Sequence, residues 1–369
     1  MHILARGYDS YFSTLPVENR GNPQTLNTFG RDPRRLPNSR HFRSRSADGY
    51  VVSTVVEEEL SPVQREVVEQ IGAKRETWPV FPAELRGELR GTLEKGIADH
   101  VARLGPDRQI WANKHAVSQV MGCEKRYLAD RDFPGWSVPL ARGTVVHKAI
   151  EFSINWQSRP IPGDLVDEAL ANLEFGETNI AGFIQELGQA DRAQLRSDAI
   201  DLVSKFDECW PRLKKQWRPV TESKVRLDLF EGKVVLQGKI DLTLGRAEGQ
   251  RAGKVLVDLK SGKFRPEHMA DLRYYAMIEA CRIGIPPRRI ASYYLDQGRF
   301  HPEDVTEEHL FGAADRAAAA INRMIELELE PDKPRIVPNL GCRWCRVLDT
   351  CEPGQISLRE FDDPLDDLT

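Results

Sequence analysis

Three consecutive segments of alternating apolar residues, between residues 224 and 262, constrain the fold of this chain more than any other feature. They read KVRLDLFE, KVVLQGKIDLTLG and KVLVDLKSG, and a two-residue period predicts strands with one buried face. The link RAEGQRAG between the second and third segments suits a hairpin turn. A helix is predicted over PEHMADLRYYAMIEACRIG and a further strand over RIASYYLDQGRF. The order of these elements predicts an α/β sheet flanked by helices.

Helical patterns occupy much of the remaining chain. Ser61 is a predicted N-cap before VQREVVEQIGA, and a second helix is predicted over residues 83–104. HAVSQVMGCEKRYLAD, GTVVHKAIEFSINW and residues 164–216 carry apolar residues at spacings of three and four, which indicates helices. Thr306 is predicted to cap a long alanine-rich helix. We therefore expect a helical insertion and a helical extension around the sheet.

Composition divides the chain into four predicted regions. Residues 1–48 are rich in Arg, Asn, Pro, Gly and Ser without apolar periodicity, which is typical of a disordered arm. Residues 49–108 are predicted as a helical extension, residues 109–355 as the main domain and residues 356–369 as an acidic tail. The net charge of −4 argues against a protein that coats nucleic acid, but it leaves room for an enzyme with a local basic groove. No apolar run approaches the roughly 20 residues that cross a bilayer, so we expect a cytoplasmic protein without membrane contact.

Charged residues stand where the second and third predicted strands end. Asp258 and Lys260 are two residues apart on one strand and project from the same face, while Asp241 lies near the end of the preceding strand. His147 lies on a helix upstream. Two carboxylates and one imidazole suit Mg²⁺ or Mn²⁺ better than zinc. The set fits phosphodiester hydrolysis, although an isolated D-x-K is more often a solvated strand end.

The segments GTVVHKAIE, GKID, VDLKSGK and DLRYYAMIEA, in this order, resemble the successive motifs of the PD-(D/E)-X-K nuclease superfamily. The closest resemblance is to its RecB-like branch, which includes nuclease domains of recombination exonucleases and CRISPR adaptation nucleases. It implies a restriction-endonuclease-like central mixed β-sheet flanked by helices, with a helical insertion and a cysteine-stapled helical flank. It also implies that His147, Asp241 and Asp258 are metal ligands and that Lys260 is catalytic. The carbonyl of Leu259 is a further expected ligand.

The last motif departs from the family pattern. The family reads Q-x-x-x-Y, whereas this chain has Asp271 where glutamine is expected before Tyr275. Tyr275 is a candidate DNA contact, and the alternative is a helix aromatic packed on the sheet. Arg126, Lys263 and Arg273 are further candidate DNA contacts, with surface charge as the alternative for each.

Three of the six cysteines form a C-x2-C-x5-C cluster near the C-terminus, which points to metal. By resemblance to the RecB-like branch, Cys342, Cys345 and Cys351 join Cys123 in binding a [4Fe–4S] cluster. Such a cluster would tie the start of the main domain to its end. Structural zinc is the alternative, because all-cysteine sites also bind zinc. The other two cysteines are expected to be buried thiols without a role.

The expected activity is that of a Mg²⁺- or Mn²⁺-dependent deoxyribonuclease, more an exonuclease than an endonuclease. Its expected substrates are single-stranded DNA or DNA ends, in DNA repair, recombination or phage defence. A helicase or another subunit of a nuclease complex is a possible partner. The alternative is a noncatalytic DNA-binding subunit of a helicase–nuclease or CRISPR-type complex.

Overall fold

The computed structural model describes residues 60–131, 135–155 and 160–362. The predicted arm at residues 1–48 and the beginning of the predicted extension lie outside these ranges. The helices are α1 (Pro62–Ile71), α2 (Leu85–Ala102), α3 (Lys114–Gly122), α4 (Glu124–Ala129), α5 (Val138–Asn155), α6 (Pro162–Phe175), α7 (Ala181–Glu186), α8 (Gln189–Cys209), α9 (Glu267–Ile283), α10 (Glu307–Leu329) and α11 (Glu352–Asp362). The strands are β1 (Ile110–Ala112), β2 (Val220–Leu229), β3 (Val234–Leu244), β4 (Val255–Lys260), β5 (Arg289–Tyr294) and β6 (Arg299–Asp304).

The six strands form one mixed sheet, as predicted. β2 pairs with β3 in an antiparallel hairpin along nearly the whole length of both strands. On its other edge, β3 pairs with β1 at its beginning and with β4 at its end. β4 and β5 are parallel and are joined through α9, while β6 pairs antiparallel with β5. The predicted hairpin between the second and third segments is confirmed by the antiparallel pairing of β3 with β4.

Alternating side chains of the strands enter two separate cores, one on each face of the sheet. Leu256 of β4 packs into the core formed with α2, α3, α9 and α10. Val255, Val257 and Leu259 pack into the other core, with α1, α5, α6, α7 and α8. The predicted helices thus cover both faces, which explains why the central strands are apolar on both sides.

Local signals set the helix ends. Ser61 accepts a hydrogen bond from the backbone of Gln64, whose side chain bonds back to Ser61, so the predicted N-cap of α1 is confirmed. Thr306 caps α10 through the backbone N–H of His309. Gly284 ends α9 in the left-handed conformation that glycine adopts without strain.

Several predicted boundaries are wrong. The single strand predicted over RIASYYLDQGRF is the hairpin of β5 and β6, turned by Gly298 at a φ of +62°. The helix predicted over HAVSQVMGCEKRYLAD breaks at Cys123, which is extended and separates α3 from α4. The helical pattern over residues 164–216 corresponds to three helices, and the last of these ends at Cys209, before the predicted end of the helical region. Strand β1 was not predicted, and α11 occupies the beginning of the predicted acidic tail.

Among the helices that the structure describes, none combines the length and the apolar composition that a membrane crossing would need.

Candidate active site

The strands β3 and β4 separate at the point where their acidic residues lie. Their backbone pairing covers only Leu242–Leu244 opposite residues 255–257. Continuation of that register would place Asp241 opposite Asp258, but no ladder pairing joins the strands there. Instead, Asp241 Oδ2 accepts a hydrogen bond of 2.7 Å from the backbone N–H of Leu259. A carboxylate therefore occupies the gap between the strands and satisfies a backbone donor that the sheet leaves unpaired.

His147 reaches this gap from α5. Its Nε2 lies 3.0 Å from the carbonyl oxygen of Leu259, and its Nδ1 lies 3.4 Å from Asp241 Oδ1. Burial by itself lowers the pKa of His147, but the charge of Asp241 and its hydrogen bond outweigh burial and raise that pKa. The structure thus brings together His147, Asp241 and the Leu259 carbonyl, three of the predicted ligands.

Asp258 lies between two lysines. Its side chain is 2% exposed, with Lys114 Nζ 2.7 Å from Oδ1 and Lys260 Nζ 2.6 Å from Oδ2. Burial raises the pKa of Asp258, but the charges of Lys114 and then Lys260 outweigh burial and hold the pKa well below its usual range. Asp258 is therefore an anion at neutral pH. Lys260 contacts it from the same face of β4, the face that the D-x-K spacing predicted for both side chains.

Lys114 was missed by the sequence reasoning. It is the first residue of α3, a helix that packs on the sheet face opposite to α5, and Asn113 caps this helix. Burial lowers the pKa of Lys114, but Asp258 and further acidic groups outweigh burial and raise it well above its usual value. No local pattern marks this lysine, because its partner lies 144 residues away in the sequence.

Glu222 is a second residue that the sequence reasoning missed. The antiparallel pairs of β2 and β3 on both sides of this position place Glu222 opposite Asp241. The ladder is interrupted there, and Glu222 adopts a left-handed φ of +53°. Donor atoms of His147, Glu222 and Asp241 all lie within 4.8 Å of one another. Lys239 forms an ion pair with Glu222. The predicted strand began at residue 224, so Glu222 was outside it; the hairpin register was the signal that could have found it.

The donors at this edge fit a divalent cation. They are carboxylate oxygens, a carbonyl oxygen and one imidazole nitrogen, the set that Mg²⁺ and Mn²⁺ accept. Asp258 is not part of the group that lies within 4.8 Å in the described residues, because the two lysines hold its carboxylate. Its buried Oδ2 nonetheless accepts no hydrogen bond of regular geometry from the residues described. The potential metal donors that the described residues bring closest together are therefore His147, Asp241, Glu222 and the Leu259 carbonyl.

Tyr275 and Asp271 of α9 lie next to Lys114. Tyr275 is 2% exposed, and the Lys114 ammonium lies 5.2 Å from the centre of its ring. A Cβ at Gly238 of β3 would collide with this ring, which supports the alternative that Tyr275 packs on the sheet. Burial raises the pKa of Asp271 to about 6, against the lowering effects of Lys114 and Lys260. The residue in the glutamine position is therefore a partly buried carboxyl group close to two lysines.

The other candidate DNA contacts have different surroundings. Arg273 forms an ion pair with Glu303 of β6, with Nε at 2.7 Å. Arg126 lies 3.4 Å from Asp130 and donates to the carbonyl of Gly341 at the same distance. Lys263 is exposed in the loop after β4. Of the three side chains, only Lys263 is exposed without an ion pair among the residues described.

All four cysteines of the predicted cluster line one pocket. A Cβ on Gly354 would lie 3.5 Å from the sulphur atoms of Cys342 and Cys351, so the glycine leaves room beside them. In the part of the chain described, however, no three of the four sulphur atoms lie within 4.8 Å of one another. A tetrahedral zinc site with Zn–S bonds of about 2.3 Å would hold them about 3.8 Å apart. The arrangement is therefore more open than a closed zinc site.

Backbone and charged groups surround these sulphur atoms. The N–H of Asn339 donates to Cys342 Sγ at 3.4 Å. Burial raises the pKa of the Cys345 thiol, while an N–H from Val347 opposes that shift. Glu124, next to Cys123, is 1% exposed and bonds to Arg323 at 2.9 and 2.8 Å. Its carboxylate also accepts the backbone N–H of Arg335 at 2.7 Å, which joins the segment of Cys123 to the segment that leads to the other cysteines.

Comparison with known proteins gives one family match. Residues 114–352 match the family model of the PD-(D/E)XK nuclease superfamily. A solved structure from Eubacterium rectale, provisionally named as an exonuclease, is 13% identical over 66% of this chain and 88% of its own, with a TM-score of 0.42. The solved protein SSO0001 is also 13% identical, over 73% of this chain and 97% of its own, with a TM-score of 0.30. No curated protein matches this sequence.

Proposed function

Because the chain belongs to the PD-(D/E)XK nuclease superfamily, we propose that it is a Mg²⁺- or Mn²⁺-dependent deoxyribonuclease of the RecB-like branch. It hydrolyses phosphodiester bonds in single-stranded DNA or at DNA ends, as an exonuclease, and acts in DNA repair, recombination or phage defence. A helicase or another nuclease-complex subunit is its proposed partner. The branch and the substrate rest on the ordered motifs of the sequence.

The observation that carries this proposal is the open edge between β3 and β4. Asp241 and His147 lie 2.7 and 3.0 Å from the backbone N–H and carbonyl groups of Leu259 and 3.4 Å from each other. Asp258 and Lys260 flank Leu259 on β4. A nuclease needs anionic and neutral oxygen donors for a cation beside a positive charge for the phosphate. The gap between β3 and β4 holds both the oxygen donors and the positive charge, at a point where the two strands do not pair.

The residues at this gap have different proposed roles. His147, Asp241 and the Leu259 carbonyl are the proposed metal ligands, with Asp258 and Glu222 as further carboxylates. A bound divalent ion supplies Lewis acidity toward a phosphate oxygen and lowers the pKa of water. Lys260, held on Asp258, stabilises negative charge on the phosphate and positions the attacking water.

Cleavage assays test the proposal directly. Purified protein is incubated with Mn²⁺ and labelled single-stranded, linear duplex and circular DNA, alongside the variants Asp258→Asn and Lys260→Ala. We expect both variants to lose cleavage while retaining circular dichroism spectra like that of the wild type. Asp228→Asn is the matched control, since Asp228 is an exposed strand aspartate paired with Arg226 on β2.

Each outcome has a consequence. Full activity in either site variant would refute the assignment of the site. No cleavage of any substrate by the wild type would favour a noncatalytic DNA-binding subunit. Cleavage of circles would indicate an endonuclease.

For the four cysteines we propose a [4Fe–4S] cluster rather than zinc. The choice of iron–sulphur rests on the ordered cysteine spacing of the sequence, and the pocket that the four cysteines share is compatible with either metal. Arg126 and Lys125 also line the pocket and offset the negative charge of thiolates.

Metal analysis tests the cluster independently of DNA cleavage. Protein purified without oxygen should be brown and contain iron and acid-labile sulfide. Cys351→Ser should lose both, whereas Cys281→Ser should keep them, since Cys281 is a buried thiol of α9 outside the pocket. A colourless wild-type protein that contains zinc would overturn the proposal.

A further inference from the structure

A half-exposed phenylalanine follows the catalytic strand and takes no part in the chemistry proposed above. Phe264 lies in the loop after β4, and 48% of its side chain is exposed. Lys263 and Arg265 flank it and are both exposed. Within the described part of the chain, neither of these two cations forms an ion pair. The loop therefore presents one aromatic ring between two positive charges.

The ring of Phe264 packs against two other aromatic rings of the protein. Its centre lies 5.8 Å from the ring of Tyr294 and 5.1 Å from the ring of His301. Tyr294 is fully buried, and its hydroxyl group lies 2.7 Å from His268 Nδ1. Aromatic contacts at these distances are favourable and restrain the ring. Phe264 is thus fixed on one side and open to solvent on the other.

This aromatic group borders the candidate active site. Tyr294 of β5 is the register partner of Lys260 of β4. Side chains at paired positions of neighbouring strands lie on the same face of a sheet, with the strands about 4.8 Å apart. Phe264 packs against Tyr294, which is the neighbour of Lys260 on the adjacent strand. A DNA strand whose phosphate lies at Lys260 can place an adjacent base on the ring of Phe264.

We propose that Phe264 is a stacking platform for one unpaired base next to the scissile phosphate, with Lys263 and Arg265 bound to the neighbouring phosphates. This inference rests on the proposed nuclease function and specifies its substrate as a single strand or an unpaired end. A base inside a duplex has both faces covered by its neighbours, so the platform selects against continuous duplex. Stacking on an aromatic ring accepts every base, so no sequence preference arises from Phe264.

Binding measured in EDTA tests this platform without any cleavage. Fluorescence anisotropy compares a labelled single strand of thymidine nucleotides with a labelled blunt hairpin duplex. Replacement of Phe264 by alanine or by leucine should weaken single-strand binding about 5- to 150-fold, whereas Phe264→Trp should retain it. Leucine keeps an apolar contact with Tyr294 and thereby separates stacking from folding. Phe175→Ala is the matched control, because Phe175 is 80% exposed on α6, a helix that supplies no site residue.

Single strands with one abasic position, moved along the oligonucleotide, identify the stacked base. Wild-type protein should lose affinity at one position, and Phe264→Ala should be insensitive to the same lesion. Equal single-strand affinity of Phe264→Leu and wild type, or an equal loss on the duplex, would overturn the proposal. Since binding needs no metal, a protein that stacks the base but cuts no DNA would refute the nuclease proposal alone. A protein that cuts DNA but tolerates Phe264→Leu would refute the platform alone.

Discussion

Replacement of Lys114 by methionine should destabilise the protein through Asp258. Lys114 Nζ lies 2.7 Å from Asp258 Oδ1, and the carboxylate is 2% exposed. Methionine keeps most of the length of the side chain and its contact with Tyr275 but removes the charge. The variant therefore leaves a buried carboxylate with Lys260 as its remaining cation.

The expected loss of stability follows from Coulomb's law, reduced by the effects that oppose the attraction. Opposite charges in contact at this distance attract by about 6 kcal/mol with an effective dielectric constant of 20. The net loss is smaller, because Lys260 still pairs with Asp258 and the cost of burying the Lys114 ammonium disappears. We expect the free energy of unfolding to fall by about 2 kcal/mol at pH 7.

The pH dependence of this loss has a definite sign. The pKa of Asp258 in the folded state lies below its unfolded value. Its ionisation therefore stabilises the fold above the unfolded-state pKa of about 3.9, and this contribution disappears as the pH falls through the folded-state pKa. Lys114→Met raises the folded-state pKa. The deficit of the variant should be complete at pH 7 and shrink as the pH falls below about 4.

Urea unfolding in EDTA measures both effects. The double variant with Asp258→Asn isolates the pairwise energy. Lys254→Met is the matched control, because Lys254 pairs with Glu279, a 3% exposed carboxylate that also has a second cation, Arg282. Lys254→Met should cost similar stability and leave DNA cleavage intact. If Lys114→Met lowers stability equally in the presence of Asp258→Asn, Lys114 does not act through Asp258.

Three further predictions concern other carboxyl groups. The pKa of Asp271 is raised to about 6, so the folded state holds this proton more tightly than the unfolded state does. The free energy of unfolding of the wild type should therefore fall by about 2 kcal/mol as the pH rises from 4 to 6. Asp271→Asn should flatten this slope, and an equal pH dependence of the two proteins would contradict the raised pKa. Glu222→Gln should weaken Mn²⁺ binding about tenfold by titration calorimetry, and unchanged affinity would exclude Glu222 from the ligand set. Glu124→Gln should lower the free energy of unfolding by about 2 kcal/mol by weakening the pair with Arg323; urea unfolding should show no such loss for Glu88→Gln on the exposed face of α2.

Much of the central sheet was predictable because its signals are local. The two-residue alternation located β2, β3 and β4, and the link between β3 and β4 is short enough to impose an antiparallel register. That register already placed Asp241 and Asp258 on neighbouring strands. Strand β1 escaped prediction because three residues are too few for a period to appear. The β5–β6 hairpin escaped because its short turn lay inside one apparently continuous strand.

The sequence by itself determined the ordered motifs, the alternating pattern of the strands and the helix caps, since neighbouring residues decide each of these. Only the tertiary structure decided that the gap between β3 and β4 is filled from both faces of the sheet. Lys114 comes from α3 on one side and His147 from α5 on the other, and Glu222 arrives through the hairpin partner of β3. Burial and opposite charge select these partners over separations of up to 144 residues. The spacing of residues along the chain therefore does not predict these partners, because ion pairing depends on distance in space.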